Sequence, residues 1–237
     1  MKKKIILVLI IFILTFMFSF FYKKDNIINY TLLGDKQLFS NNIISKNFSD
    51  LIYERLNKKY KTNYNKSFIE EDIRIVDIIN TIDDNIMKDD QSIQKVLKSS
   101  NILLINSGNS EIDYKLSKID PTENNKEVYL YIDETLKDYS KLITKIKKYN
   151  DNEIIVLGVY NEKDINSNKQ FFDYFNKKLH NLCKKNDITF INIYNILYKN
   201  SDYLQKTDRL FITNKGNLAL FYKIYSKINK LYLHKNL

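Results

Sequence analysis

The stretch YTLLGDKQLFS, Tyr30–Ser40, predicts a buried strand that runs into a tight turn at Gly34 and Asp35. β-Favouring and apolar residues come directly before the glycine, and glycine is the residue that tolerates a sharp backbone turn at no steric cost. The residue after the Gly-Asp pair is Lys36. The question is whether this turn carries chemistry or only reverses the chain.

Four short apolar runs predict the sheet. They read IINYTLL (27–33), ILLINS (102–107), EIIVLGV (153–159) and ITFINI (188–193). Each is rich in Ile, Leu or Val and is bounded by turn residues. Near-continuous apolar runs are typical of parallel strands that are buried on both faces.

Longer stretches between and after these runs have the i, i+3, i+4 spacing of amphipathic helices. They are residues 47–61, 127–149, 171–183 and 217–233. Strands that alternate with helices predict an α/β fold, in which right-handed crossovers build a parallel sheet with helices on both sides.

Glycine is rare, and its positions are informative. Gly34, Gly108 and Gly158 end apolar runs, and Gly216 opens the last helical stretch; the chain has no other glycine. One interpretation is plain turn geometry. The other is a binding site, because ligands of open α/β sheets lie at the carboxyl ends of the strands.

The first 24 residues are interpreted as a membrane anchor. Residues 5–21 carry no charge, and 17 residues lie at the short end of the range for a spanning helix. Bulky residues follow where a signal-peptide cleavage site would need small ones, although a cleaved signal stays open. The lysines at 2–4 favour an inside N-terminus, which places a domain of residues 25–237 on the extracytoplasmic side.

The charge distribution, the single cysteine and the two histidines argue against several classes of function. Residues 25–237 hold 33 basic and 28 acidic side chains, and the lysines are scattered along the sequence. This indicates a bias spread over the surface, which argues against nucleic-acid binding and leaves a weak attraction to anionic lipid or wall polymer. Cys183 cannot form an internal disulfide, and His180 and His234 show no metal-ligand spacing, so we expect neither a metal nor a cofactor.

Four blocks in order carry a resemblance to a known family. They read YTLLGDKQ (30–37), NKSFIEEDIRIVDIIN (65–80), NILLINSGNSEIDYKL (101–116) and DRLFITNKGN (208–217). From about Asn26 to Leu231 the chain resembles the SGNH or GDSL-like hydrolases, in particular their membrane-anchored or secreted bacterial versions. The resemblance implies a flavodoxin-like, three-layer α/β/α sandwich with a mostly parallel sheet of about five strands.

The resemblance implies that the catalytic positions are degenerate. Lys36 stands where the family has its nucleophilic serine, and Phe211 stands where it has its histidine. Asp208, which would orient that histidine, is kept. In such a site the histidine takes the serine proton during attack on an ester carbonyl, and phenylalanine cannot transfer a proton.

The oxyanion-binding positions are only partly kept. Gly34, Asp35 and Gly108 match, while Asp72, or its neighbour Glu71, lies where the family has a glycine. In the gap-free alignment Ser110 replaces the family asparagine and Glu111 the aspartate. A one-residue slip would make Asn109 that asparagine but would lose the match at Gly108. The binding positions implied by the resemblance are Gly34, Asp35, Asp72, Gly108 and Asn109.

Substitute chemistry stays open as an alternative. Lys36 could act as an amine nucleophile or base, although acidic neighbours would instead make it a salt-bridged structural residue, with Asp208 as one candidate partner. Ser40, Ser107 and Ser110 are serines near these blocks, but none has a histidine partner in the sequence.

Three functions follow from this. The first is an inactive, anchored domain that binds a ligand or protein partner, such as an acylated lipid or wall polymer. The second is an acyl-ester hydrolase with rearranged residues, and the third is a purely structural envelope protein.

Overall fold

We analysed a computed structural model of the chain, which describes residues 24–35, 46–119, 125–160, 168–206 and 210–233. Residues 1–23 of the predicted anchor lie outside these ranges, as do Lys36, Ser40, Asp208 and His234, and Lys24 belongs to the first strand. No helix in the described ranges is both long enough and apolar enough to cross a bilayer.

Five parallel strands form the central sheet. The strands of the described residues are β1 (Lys24–Asp35), β2 (Tyr60–Glu70), β3 (Met87–Lys88), β4 (Gln91–Ser92), β5 (Ile102–Asn106), β6 (Glu153–Leu157), β7 (Thr189–Ile191), β8 (Leu204–Lys206) and β9 (Leu210–Ile212). The order in the sheet is β2-β1-β5-β6-β7, and every pairing within it is parallel. The remaining strands form two small antiparallel pairs, β3 with β4 and β8 with β9.

Helices flank the sheet. The α-helices of the described residues are α1 (Phe48–Asn57), α2 (Ile75–Asp83), α3 (Ile93–Ser99), α4 (Asn109–Leu116), α5 (Asn125–Tyr149), α6 (Lys169–Lys185), α7 (Ile193–Leu197) and α8 (Asn214–Ile228). One group packs around α5 and comprises α2, α3, α4 and α6, while α1 and α7 pack against α8. All five residues of β5 are buried, as expected for a strand that is covered on both faces.

The α/β class and the parallel sheet predicted from the sequence are therefore confirmed, and each of the four apolar runs forms a strand. One prediction was wrong. The helix expected over 47–61 ends at Asn57, and the backbone from Tyr60 onward forms the edge strand β2. The alternation of polar and apolar residues in β2 is weak, because many of its side chains are partly or fully exposed.

Candidate functional site

The candidate site lies at the carboxyl ends of β1 and β5. These strands are neighbours in the sheet, but β2 precedes β5 along the chain, so the order of strand addition reverses between them. Such a switch point leaves a crevice at the carboxyl ends of the strands, where ligands of open α/β sheets bind. Gly34 pairs with Asn106 at this point.

Gly34 allows the two strands to approach. Its φ is +117°, and a Cβ at this position would lie 1.8 Å from the carbonyl oxygen of Asn106. No side chain fits there without separating the backbones of β1 and β5. The predicted turn glycine is therefore required by strand packing.

Asp35 is completely buried at the end of β1. Its carboxylate accepts a hydrogen bond from the hydroxyl of Ser110, which is also buried. The side-chain amide of Asn106 donates to the Asp35 carbonyl oxygen over 3.1 Å. Two residues predicted separately, Asp35 and Ser110, thus form one polar pair.

Gly108 and Asn109 shape the turn from β5 into α4. Gly108 has a φ of +113° at the N-cap of α4, and a Cβ there would lie 2.8 Å from the ring of Phe175. Asn109 is buried, and its side-chain oxygen accepts a hydrogen bond of 3.1 Å from the backbone N–H of Tyr160. The amide of Asn109 therefore ties the end of this turn to the segment that follows β6.

Glu111 holds the start of α2. One carboxylate oxygen accepts from the N–H of Ile75, the first residue of α2, over 3.0 Å. The other accepts from the hydroxyl of Tyr131 over 2.9 Å. Burial, and then the charge of Glu111, raise the pKa of Tyr131 well above its usual value, so Tyr131 remains a donor. A negative side chain at this end also suits the helix dipole.

Asp72 lies in the turn between β2 and α2 and is exposed. Its φ of +53° is unusual for a residue with a side chain and is a conformation that glycine adopts easily. The backbone at this position therefore has a shape that suits the family glycine.

The described residues bring no histidine to this pair. His180 is exposed on α6 and stacks on Phe190 of the edge strand β7 at a centroid distance of 5.3 Å. Cys183 is buried, and desolvation raises the pKa of its thiol to about 12, which suits a core residue and not a nucleophile. Lys36 and Asp208 lie outside the described ranges, and only the backbone of Phe211, in β9, is described.

No cluster of three or more metal-ligating side chains occurs among the residues that the structure describes. The site residues missed by the sequence analysis are Asn106 and Tyr131. Asn106 could have been noticed as the polar residue that ends an otherwise apolar run. Tyr131 carried no such signal, because it reaches Glu111 only through the packing of α5 against α4.

No protein-family model and no curated protein matches the chain. Solved structures do resemble it. A lipase from a goat rumen metagenome superimposes with a TM-score of 0.66 at 18% identity, covering 84% of this chain and 96% of that chain. A member of the lipolytic G-D-S-L family from Veillonella parvula DSM 2008 gives 0.61 at 14% identity, covering 87% of this chain and 100% of that one.

An acetylxylan esterase from Geobacillus stearothermophilus, solved as a catalytic mutant, superimposes with a TM-score of 0.64 at 11% identity, covering 87% of this chain and 96% of that chain. These similarities extend over nearly the whole length of each neighbour. The chain therefore has the fold of the SGNH or GDSL-type lipolytic hydrolases and acetylxylan esterases, as its sequence blocks led us to expect.

Proposed function

We propose that the chain is a membrane-anchored, extracytoplasmic protein that uses the SGNH fold without ester hydrolysis, as a binding or structural module of the cell envelope. The observation that carries this proposal is the internal pairing of the site. The Ser110 hydroxyl bonds to Asp35, and both Glu111 oxygens accept hydrogen bonds from Ile75 and Tyr131.

The proposed inactivity rests on the loss of two groups that ester hydrolysis by this fold requires, the nucleophile and its base. A serine nucleophile needs a base within hydrogen-bond reach, and His180, the histidine of the described ranges, is exposed on α6 over Phe190. In the sequence, Lys36 and Phe211 stand at the positions of the family serine and histidine. Loss of both groups removes nucleophile and base together.

The kind of ligand is suggested by the neighbours. The neighbours include a lipase and an acetylxylan esterase. By analogy, we propose that this site binds an acylated lipid or an acylated envelope polymer without cleaving it. Fold alone does not fix a function.

Activity can be tested on the full chain purified in detergent micelles. We expect no serine labelling by a fluorophosphonate probe and no turnover of an aryl acetate above that of the Ser110→Ala variant. An active acetylxylan esterase of the same fold serves as the positive control for both assays. Labelling of one serine, confirmed by peptide mapping, would contradict the proposed inactivity.

The anchor can be tested separately. We expect the full chain reconstituted in vesicles to stay with the lipid after an alkaline carbonate wash, because a spanning segment is not released by charge screening. A variant with charged residues in place of Leu7, Ile10 and Leu14 should be released, since each charge in a spanning segment is costly. Release of the unaltered chain would contradict the anchor.

A second candidate function is an acyl-ester hydrolase with a rearranged site. The observation in its favour is that the Ser110 hydroxyl, on a turn from strand to helix, donates to the carboxylate of Asp35. A carboxylate can serve as a general base for a serine. This function predicts labelling of Ser110 that disappears in both Ser110→Ala and Asp35→Asn, whereas Ser107→Ala leaves it unchanged.

A further inference from the structure

Five helices end on one edge of the molecule, the edge at which the sheet strands begin. The connections from α1 to β2, α3 to β5, α5 to β6 and α6 to β7 each contain only two or three residues. Each of these helices must therefore end beside the amino end of the strand that it precedes.

The last helix, α8, ends there as well. The Asn217 side chain near its start accepts from the N–H of Phe48, the first residue of α1, and the two helices pack along each other. At the other end, Tyr60, at the start of β2, is close enough to Tyr225 of α8 for that hydroxyl to add to the effect of burial in raising the pKa of Tyr60. α1 and α8 thus begin together and end together.

Exposed basic side chains collect on this edge. We call the following ten residues the basic edge: Arg55, Lys58, Lys59, Lys98, Lys147, Lys148, Lys184, Lys185, Lys227 and Lys230. Acidic residues are also present: Asp151 and Asp187 lie in these connections, and Glu153 begins β6. Ten basic residues that are far apart along the sequence are therefore brought to one edge, while the other described lysines are spread over the rest of the surface.

Helix dipoles explain why a single lysine is favourable at a helix end. They do not explain why the basic side chains of this edge lack ion-pair partners. Two lysines of the edge also have polar contacts: Lys147 donates to the carbonyl oxygen of Asn186 over 2.8 Å, and Lys148 lies over the ring of Tyr149.

None of the ten side chains forms an ion pair with a described residue, whereas about half of the described lysines elsewhere do, Lys88 with Glu70 and Lys145 with Asp83 among them. The basic edge thus presents ten basic groups without ion pairs among the described residues, beside three acidic ones.

The chain also leaves toward the predicted anchor from this edge. β1 begins at Lys24, which pairs with Tyr60 at the amino end of β2. Only Tyr22 and Lys23 separate β1 from the apolar segment 5–21. Two residues span at most about 7 Å, so an anchored domain would hold this edge close to the lipid headgroups.

We propose that the basic edge docks on anionic phospholipid headgroups of the membrane that holds residues 5–21. This proposal rests on the anchor of the proposed function. Lysines next to a charged leaflet attract anionic lipid within about one Debye length, roughly 8–10 Å, which the short connection to the anchor satisfies. The domain is then fixed in one orientation and does not rotate freely about its tether.

The orientation sets the height of the candidate site. Gly34 and Asp35 lie at the far end of β1, a strand of 12 residues. At about 3.3 Å per residue the site lies roughly 35 Å from the edge that faces the lipid. Docking therefore turns the site away from the bilayer of its own anchor, toward ligands that extend into the envelope.

The test is a lysine footprint of the full chain reconstituted in two kinds of vesicle, pure phosphatidylcholine and a mixture of phosphatidylcholine with phosphatidylglycerol. An acylating reagent modifies exposed lysines, and mass spectrometry compares their rates. Lys118 and Lys126, which are exposed near the opposite edge, serve as internal controls. We expect lysines of the basic edge to react about fivefold more slowly in the anionic vesicles, and 0.5 M salt to abolish the difference.

If the basic-edge lysines react as fast as Lys118 and Lys126 in both kinds of vesicle, the docking is overturned and the anchor stays intact. If they are protected relative to these controls to the same extent in both, the docking on anionic lipid is also overturned, because the occupant would then be something else, such as a second copy of the chain. Association only with anionic vesicles, reversed by salt, would overturn the anchor and support the basic edge. Association with neither would overturn both proposals.

Discussion

Ser110 donates its hydroxyl hydrogen to the carboxylate of Asp35, and both side chains are buried at the point where β1 and β5 end. Asp35 belongs to the Gly-Asp pair of the first block and Ser110 to the third. The hydrogen bond thus joins the end of β1 to the start of α4, two segments that are 75 residues apart in the sequence.

Ser110→Ala removes this bond and leaves the buried carboxylate with one donor fewer. We expect the free energy of unfolding in urea to fall by about 1–3 kcal/mol. Ser107→Ala is a matched control, because Ser107 is equally buried but its hydroxyl has no hydrogen-bond partner among the described residues. If Ser107→Ala lowers the free energy of unfolding as much as Ser110→Ala does, the hydrogen bond between Ser110 and Asp35 does not account for the effect.

Tyr131→Phe removes one of the two donors to Glu111. The free energy of unfolding should fall by about 1–2 kcal/mol, since a buried carboxylate oxygen loses its partner. Tyr129→Phe, on the same helix, removes a hydroxyl for which no hydrogen bond is described, and we expect a change below about 0.5 kcal/mol. Chemical denaturation of both variants measures the difference, and equal effects would refute the role of Tyr131 in holding Glu111.

Gly34→Ala should prevent folding. The added Cβ would meet backbone, and the positive φ is unfavourable for alanine, so the ladder between β1 and β5 must open. Gly158→Ala is a graded comparison, because its φ is not positive and its Cβ would lie 2.5 Å from a side-chain atom of Asn176, which can shift only by weakening its hydrogen bonds to Val159. We expect soluble, folded Gly158→Ala and insoluble or unfolded Gly34→Ala, as judged by circular dichroism. A folded Gly34→Ala of near-native stability would contradict the close approach.

The thiol of Cys183 should be unreactive in the native protein. Burial raises its pKa to about 12, so the thiolate that attacks a disulfide reagent is almost absent at pH 8. Because the folded-state pKa lies above the unfolded one, this group's contribution to stability is complete below about pH 8.5 and is lost as the pH rises toward 12.

Reaction with an aromatic disulfide reagent at pH 8, in buffer and in urea, provides the measurement. We expect slow labelling in buffer and rapid labelling in urea. Fast labelling of the folded chain would place Cys183 at the surface. Comparison with Cys183→Ala should show a shallower loss of stability above pH 9 in the variant.

The sequence predicted the parts of the fold that depend on local pattern. The apolar runs that became β5 and β6 are buried on both faces, and those of β1 and β7 are mostly apolar, so their signal is strong. The edge strand β2 was missed, because its Asn and Lys side chains face solvent and its strand conformation depends on pairing with β1.

The sequence indicated where the candidate site lies but not which of its side chains contact each other. Gly34, Asp35, Gly108 and Ser110 lie at the carboxyl edge, as the motifs indicated. The bonds of Ser110 to Asp35 and of Glu111 to Tyr131 arise from the way distant segments pack, which no local pattern encodes. The roles of Lys36, Asp208 and Phe211 stay predictions.

The contact of Gly34 with the backbone of Asn106 has a consequence for reading motifs of this type. The glycine is needed to let two strands meet, whatever residue follows it. Natural selection can therefore discard a nucleophile at the next turn while the glycine persists to keep the protein folded. A Gly-Asp pair is then explained by strand packing, and its presence in a sequence does not by itself show that ester hydrolysis takes place.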